Sequence, residues 1–204
     1  MPAITFLPEG TRNRFWTSFA ALAGLLAVIA APLPAAAGPL SGTYTLSPAN
    51  IDADFSVKVL GRGPVTGEFK SVSGRLILNR KQPEKSRVSV KVDLSSVSTR
   101  NDTVTGFLKS SAMFDVANHP VATFQSTRVR ITGDYTAEVD GVLSLRGQTK
   151  RTSLTVKITG AKAKGQVGFE VTGGFFRSFY GMAAGLPIYA DKVNLVIRGT
   201  GRRT

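Results

Sequence analysis

From Ile51 onward the chain alternates apolar and polar positions over and over. Ile51, Ala53, Phe55, Val57 and Val59 share one parity, and Asp52, Asp54, Ser56 and Lys58 share the other. The same period of two runs through residues 88–94, 137–145, 154–158, 167–175 and 193–197. A period of two puts one face on a core and the other in water, which is the signature of a half-buried β-strand. Two further stretches bend. Residues 68–78 pass through Gly74, and in residues 121–131 Phe124 sits on one parity while Val129 and Ile131 sit on the other, so a bulge is expected between them. The turns Gly61-Arg62-Gly63-Pro64, Gly133-Asp134 and Gly147-Gln148 are short enough to make neighbouring strands antiparallel.

About eight antiparallel strands in one domain leave two architectures, a sandwich or a barrel. Residues 102–118 break the alternation, with Val104, Phe107, Leu108, Met113 and Phe114 at irregular spacing. That stretch reads as short helical turns lying across an opening, and a barrel needs such a cover more than a sandwich does.

The first 37 residues follow a different pattern. Arg12 and Arg14 precede an apolar run in an alanine-rich background, Pro32 and Pro34 break it, and Ala35-Ala36-Ala37 supplies small residues for cleavage. This order predicts a secretory signal peptide over residues 1–37, with one mature domain over residues 38–204 and a periplasmic destination. The apolar run is shorter than the ~20 residues of a spanning helix. No cysteine follows it, which excludes a lipoprotein. Without cysteines, stability has to come from packing and a closed hydrogen-bond ladder.

Removing the leader takes Arg12, Arg14 and Glu9 with it, so the net charge of +13 falls only to +12. The cations are scattered singly along the strands, as at Lys58, Lys91, Lys157 and Arg198, without interleaved aromatics. This is the pattern of a solvated sheet face. It leaves transient contact with an anionic membrane surface open, and secretion argues against nucleic acid as a partner. Cations at mid-strand also argue against an outer-membrane barrel, whose outward face would be apolar.

Candidate chemistry is sparse. The single histidine, His119, stands before Pro120, and with no cysteine present a transition-metal site lacks ligands. No G-x-S-x-G elbow, phosphate loop or dinucleotide fingerprint occurs. Asp52 and Asp54 lie on a polar parity and read as solubility rather than as an acid and base pair. These observations predict no enzyme activity, no cofactor and no metal. What remains is the apolar parity, with Phe55, Phe69, Phe124, Phe169, Phe175 and Phe179 spread over many strands. In a barrel these converge on one interior, either a filled core or a cavity for one ligand.

An ordered set of motifs adds to this reading. Tyr44-Thr45-Leu46 with Ile51 opens it, Val65-Thr66-Gly67-Glu68-Phe69 with Gly74-Arg75-Leu76 comes next, and Val92 through Val97-Ser98-Thr99 follows. Then come Phe107-Leu108-Lys109-Ser110, Met113-Phe114-Asp115-Val116, His119-Pro120 and Gly141 through Gln148-Thr149-Lys150. Arg177, Phe179 and Gly181-Met182 close the series. Together they resemble the YceI-like family of periplasmic polyisoprenoid-binding proteins over roughly residues 40–199. The chain departs from the family at Asn50 and Val59, where many members carry histidine, and at Met113-Phe114, where an aromatic–acidic pair is usual.

The resemblance implies an all-β, eight-stranded antiparallel, lipocalin-like β-barrel with a short helical lid and an elongated apolar lumen. It also implies a non-enzymatic carrier of a polyisoprenoid, such as an isoprenoid quinone or a polyprenyl phosphate, or of a fatty acid derivative. The expected lumen residues are Phe55, Val57, Phe69, Val90, Phe124, Leu143, Val156, Phe169, Val171, Phe175 and Phe179. Phe107, Leu108, Met113 and Phe114 are expected to cover the mouth. Lys109 and Arg177 are expected there as cations for a head group. The competing expectation is a structural or stress-related envelope barrel with a filled core and no lipid. A homodimer is left open.

Overall fold

The computed structural model describes residues 40–161 and 165–204, so the leader expected at residues 1–37 lies outside the described residues. The strands are β1 (Gly42–Val59), β2 (Arg62–Phe69), β3 (Val72–Leu78), β4 (Arg87–Asp93), β5 (Val97–Thr99), β6 (Val121–Gly133), β7 (Thr136–Leu145), β8 (Gln148–Ala161), β9 (Gln166–Phe176) and β10 (Tyr189–Arg203). One α-helix, α1, spans Asp102–Lys109.

These ten segments build eight ribbons. β2 and β3 run end to end along β1, pairing Glu68 with Asp54 and Gly74 with Leu46. β4 and β5 follow them in the same way, pairing Val92 with Val72 and Val97 with Phe69. From there each strand is antiparallel to the next through β10, and β10 pairs with β1 from Tyr44↔Arg203 to Val59↔Tyr189. The protein is thus a closed eight-stranded antiparallel barrel, and closure removes the open edges on which sheets aggregate.

Odd-numbered insertions keep the apolar face inward. Between Leu46↔Gly201 and Ile51↔Gly199, β1 advances five residues while β10 advances two. The exposed Pro48-Ala49-Asn50 bulge takes up the excess, and both Leu46 and Ile51 stay buried although their parities differ. In β6, the step from Ser126↔Gly141 to Arg128↔Asp140 carries the bulge expected between Phe124 and Val129. Gly141 sits opposite that region because a methyl group there would overlap the Phe124 ring. On the outer face Lys58, Lys91, Lys157 and Arg198 are all exposed, and no helix of the described residues is long and apolar enough to cross a membrane.

The barrel has two unlike ends. At one, the chain turns tightly through residues 79–86 and 133–135. At the other, residues 100–120 and 177–188 fold across the strands. Asn101 caps α1 by accepting from the Val104 N–H at 3.1 Å. From α1, Leu108 points inward and is joined by Met113 and Phe114. These three pack with Phe55, Leu94 and Val97 into the tightest part of the core.

Candidate functional site

The interior is packed at one end and hollow toward the other. At the packed end, rings follow one another across the bore: Phe55 lies 5.4 Å from Phe69, and Phe69 lies 5.7 Å from Phe114 in an edge-to-face arrangement. Phe175 meets Tyr180 edge-on at 5.5 Å beside them, and burial raises the Tyr180 phenol above its ordinary value. Beyond these rings lies a cavity of about 540 Å³. Its floor is Leu143, Phe175 and Leu195, which also pack on the closed-end core. Its wall is the inward parity of many strands, including Val90, Phe124, Val156, Phe169 and Val171. It reaches the surface at the end with tight turns, where the exposed residues Arg80, Arg87, Asp134 and Tyr135 line it.

Of the residues expected at the lumen, Val90, Phe124, Leu143, Val156, Phe169, Val171 and Phe175 line the cavity. Phe55, Val57 and Phe69 belong to the packing of the closed end and lie outside the lining. Phe179 is 59% exposed on the outer surface, its ring tilted against that of Phe176 at 5.5 Å. The lid residues divide in the same way. Leu108, Met113 and Phe114 are buried in the closed-end core, whereas Phe107 points to solvent at 48% exposure. The lid therefore seals the end opposite the opening.

The two expected head-group cations also sit at the sealed end. Lys109 ends α1, part-buried and away from the cavity lining. Arg177 is 2% exposed and spends its guanidinium on four backbone carbonyls: Ala190 at 3.1 Å, Met182 at 2.6 Å, Ala184 at 2.8 Å and Tyr189 at 2.9 Å. Burial lowers its pKa from the usual guanidinium value while Asp191 pulls it back, and an arginine so placed stays charged at neutral pH. It staples the 182–190 loop to the barrel, and Asp191 helps by accepting from the Ser178 N–H and hydroxyl at 2.8 and 2.6 Å. Four of its five N–H donors are thus taken by backbone, and the side chain is buried away from the cavity lining, where a head group in the lumen does not reach it.

His119 lies outside the cavity, packed at Gly147 with Nε2 4.0 Å from Asp115. Among the described residues, no three histidine, cysteine, aspartate or glutamate side chains come together as a metal site.

Other lining residues were not singled out from the sequence. Leu154, Ile158, Leu195 and Ile197 stand on the parities already read as apolar, so their place follows from the same signal. Leu40, Asn79, Arg80, Pro83, Ser86 and Tyr135 lie in turns, where no period marks which residues meet across a barrel mouth.

Comparison with known proteins agrees with this architecture. Residues 44–200 match the profile of the YceI-like domain. A UPF0312 protein of Ectopseudomonas mendocina is 33% identical over 128 residues, covering 63% of this chain and 64% of the relative. The chain thus spans just under two thirds of that relative's length in the match. A UPF0312 protein of Pectobacterium atrosepticum is 29% identical over 186 residues, covering 88% of this chain and 96% of its own. Among solved structures, Burkholderia cenocepacia BcnA superposes with a TM-score of 0.70 at 19% identity, covering 76% of this chain and 98% of its own. A polyisoprenoid binding domain from Saccharophagus degradans, described as implicated in plant cell wall breakdown, superposes with a TM-score of 0.62 at 17% identity, covering 80% of this chain and 99% of its own. At such identities the two structures speak for the fold alone. The match to the domain profile covers well over half of the sequence, and this chain belongs to the YceI-like domain family.

Proposed function

We propose that this protein binds and carries one long-chain amphiphilic lipid, a polyisoprenoid or a fatty acid derivative, in the barrel lumen, and that it does so in the periplasm after loss of residues 1–37 and without catalysing a reaction. The observation that carries the reading is the cavity of about 540 Å³, walled by apolar side chains and open at one end. A bore of this kind is apolar where a tail would lie and wet where a head would lie. Burying a methylene contributes about 0.8 kcal/mol, so a tail of moderate length is held firmly even after the ordering cost of binding. The family match and the similarity to the polyisoprenoid binding domain of Saccharophagus degradans support the same ligand class.

A barrel with a filled core would have no such space, which weighs against the purely structural alternative. The test is organic extraction of protein purified from the periplasm, followed by mass spectrometry. One amphiphilic lipid per barrel, with a mature N-terminus at or near Gly38, is the expected result. A barrel that yields no lipid and takes up none on incubation with geranylgeraniol would overturn the proposal.

A further inference from the structure

We propose that the rim of the lumen is a subsite for the anionic head group of the bound amphiphile, a phosphate or a carboxylate, held by Arg80 and Arg87 with the Ser86 hydroxyl beside them. The inference rests on the reading that the lumen holds a lipid tail.

Among the described residues, Arg80 and Arg87 are the only lysines or arginines that line the cavity. Two arginines elsewhere on the barrel are matched to carboxylates: Arg130 to Glu138 at 3.0 Å and Asp140 at 2.7 Å, and Arg198 to Glu170 at 2.8 Å. The rim pair has no carboxylate partner among the described residues. The Arg80 guanidinium lies 5.7 Å from the centroid of the Tyr135 ring, which orients it by stacking and leaves its N–H edge unused. The Arg87 Nη1 donates to the carbonyls of Glu84 at 2.6 Å and Ser86 at 2.7 Å, which fixes that side chain against the turn while sparing its remaining donors.

The turn between them is a built support rather than a slack loop. The Asn79 side chain accepts from the N–H groups of Lys81 at 3.1 Å and Gln82 at 2.9 Å. Pro83 opens a 3₁₀ turn through Lys85, and the Ser86 N–H returns to the Pro83 carbonyl at 2.9 Å. Ser86 is only 5% exposed, and its Oγ accepts from the Asn79 N–H at 3.0 Å. Ser86 also lines the cavity, and among the described residues its O–H meets no acceptor, so a ligand oxygen at the rim would supply one.

The charged groups of this rim also include Asp134, which lines the cavity, and Glu84, Lys81 and Lys85 on the turn, all exposed. Among these described residues of the two turns, cations outnumber carboxylates four to two. An amphiphile lying tail-first against the ring floor brings its head to this rim and nowhere else. A planar guanidinium pair favours the two-oxygen face of a phosphate or carboxylate over a hydroxyl. Because both arginines are exposed, their joint effect is modest, roughly a tenfold preference for the charged head over the neutral one.

The test titrates the mature protein with geranylgeranyl phosphate, geranylgeraniol, palmitate and inorganic phosphate, at about 50 mM and about 500 mM salt. The wild type is expected to prefer geranylgeranyl phosphate over geranylgeraniol roughly tenfold at low salt and less at high salt. The double variant R80Q/R87Q is expected to lose that preference, so that geranylgeranyl phosphate and geranylgeraniol bind it equally. Arg87 also holds the turn, so R80Q alone is measured beside it, with partial loss expected and recovery in R80K. A preference that survives in the double variant would overturn the subsite. So would an equal fall for the alcohol, or inorganic phosphate binding as tightly as geranylgeranyl phosphate. If both geranylgeranyl ligands bind at equal strength, the subsite alone fails; if neither binds, the lumen reading fails and the subsite with it.

Discussion

The two ends of the barrel are made from the same eight ribbons, yet one is solid and the other hollow. At the solid end, residues 100–120 and 177–188 supply Leu108, Met113, Phe114, Tyr180 and Met182, enough volume to fill the bore. At the hollow end the described connections, residues 79–86 and 133–135, carry few apolar side chains to fold inward. Ile131 and Tyr135, the large ones available, stay 56% and 51% exposed at the rim. The treatment of arginine follows suit. Arg177 is buried with four of its five N–H donors on backbone carbonyls, whereas Arg80 and Arg87 are exposed with more donors to spare. A barrel's wall therefore does not decide whether it stores a ligand; the lengths and contents of its end connections do.

If this contrast holds, substitutions at the solid end should act on stability and those in the bore on lipid uptake. The largest effect is expected for Arg177→Met. It leaves several buried carbonyls without a donor, at about 1–3 kcal/mol each, so a loss of roughly 4 kcal/mol or more is expected in urea unfolding. Phe114→Ala removes the last ring of the plug and should cost about 3 kcal/mol. In both variants the fraction that remains folded should bind geranylgeraniol nearly as the wild type does. A specific loss of lipid affinity in folded Arg177→Met would instead place the head group at the sealed end.

Val156 lies midway along the hollow bore and needs a different readout. Val156→Ala enlarges a space that already exists, so about 1 kcal/mol of stability is expected to go. Val156→Phe partly fills the lumen and should weaken geranylgeraniol binding roughly tenfold with little change in melting temperature. If Val156→Phe destabilises the fold as strongly as Phe114→Ala, the bore is packed there and the contrast between the ends collapses.

The smallest effect lies on the outer wall and serves as a control. The Asp140 carboxyl is held below its ordinary value, first by the Ser153 hydroxyl at 2.6 Å and then by Arg130. A carboxylate lowered in the folded state adds stability at neutral pH, and that contribution fades as pH falls from the unfolded carboxylate value through the lower folded one. Asp140→Asn should flatten this acid-side slope slightly and leave lipid binding alone. Unchanged acid unfolding would remove any role for the cluster.

Much of this was legible in the chain. The period of two marked the wall and assigned Val90, Leu143, Phe169 and Val171 to its apolar face, while closure into a barrel came from the family resemblance. The parity break between Phe124 and Val129 revealed the bulge at Thr127 because an odd insertion is the only way to keep both inside. The breaks at Lys70-Ser71 and at residues 94–96 were not legible, since a ribbon can lose pairing there without changing its apolar parity. Nor could the sequence tell which end the lid would seal. Phe55 and Phe169 carry the same period-two signal, yet one sits in the plug and the other on the cavity wall. Depth along the bore depends on strand tilt and closure, which periodicity does not encode. Arg177 is legible as a special cation but not as a structural one, because its four acceptors are backbone carbonyls and leave no mark on residue type.

The central claim is that a lipid tail enters at the rim of tight turns and stops at the aromatic plug. It is tested most directly by photo-crosslinking with a palmitic acid that carries a diazirine at its tail end, followed by peptide mapping of the labelled protein. The account predicts labelling of the floor, at Leu143, Phe175 or Leu195, with none on Phe107 or Phe179. Labelling of Phe107 or Phe179 at the sealed end, or of the rim residues Ile131 and Tyr135 alone, would contradict it.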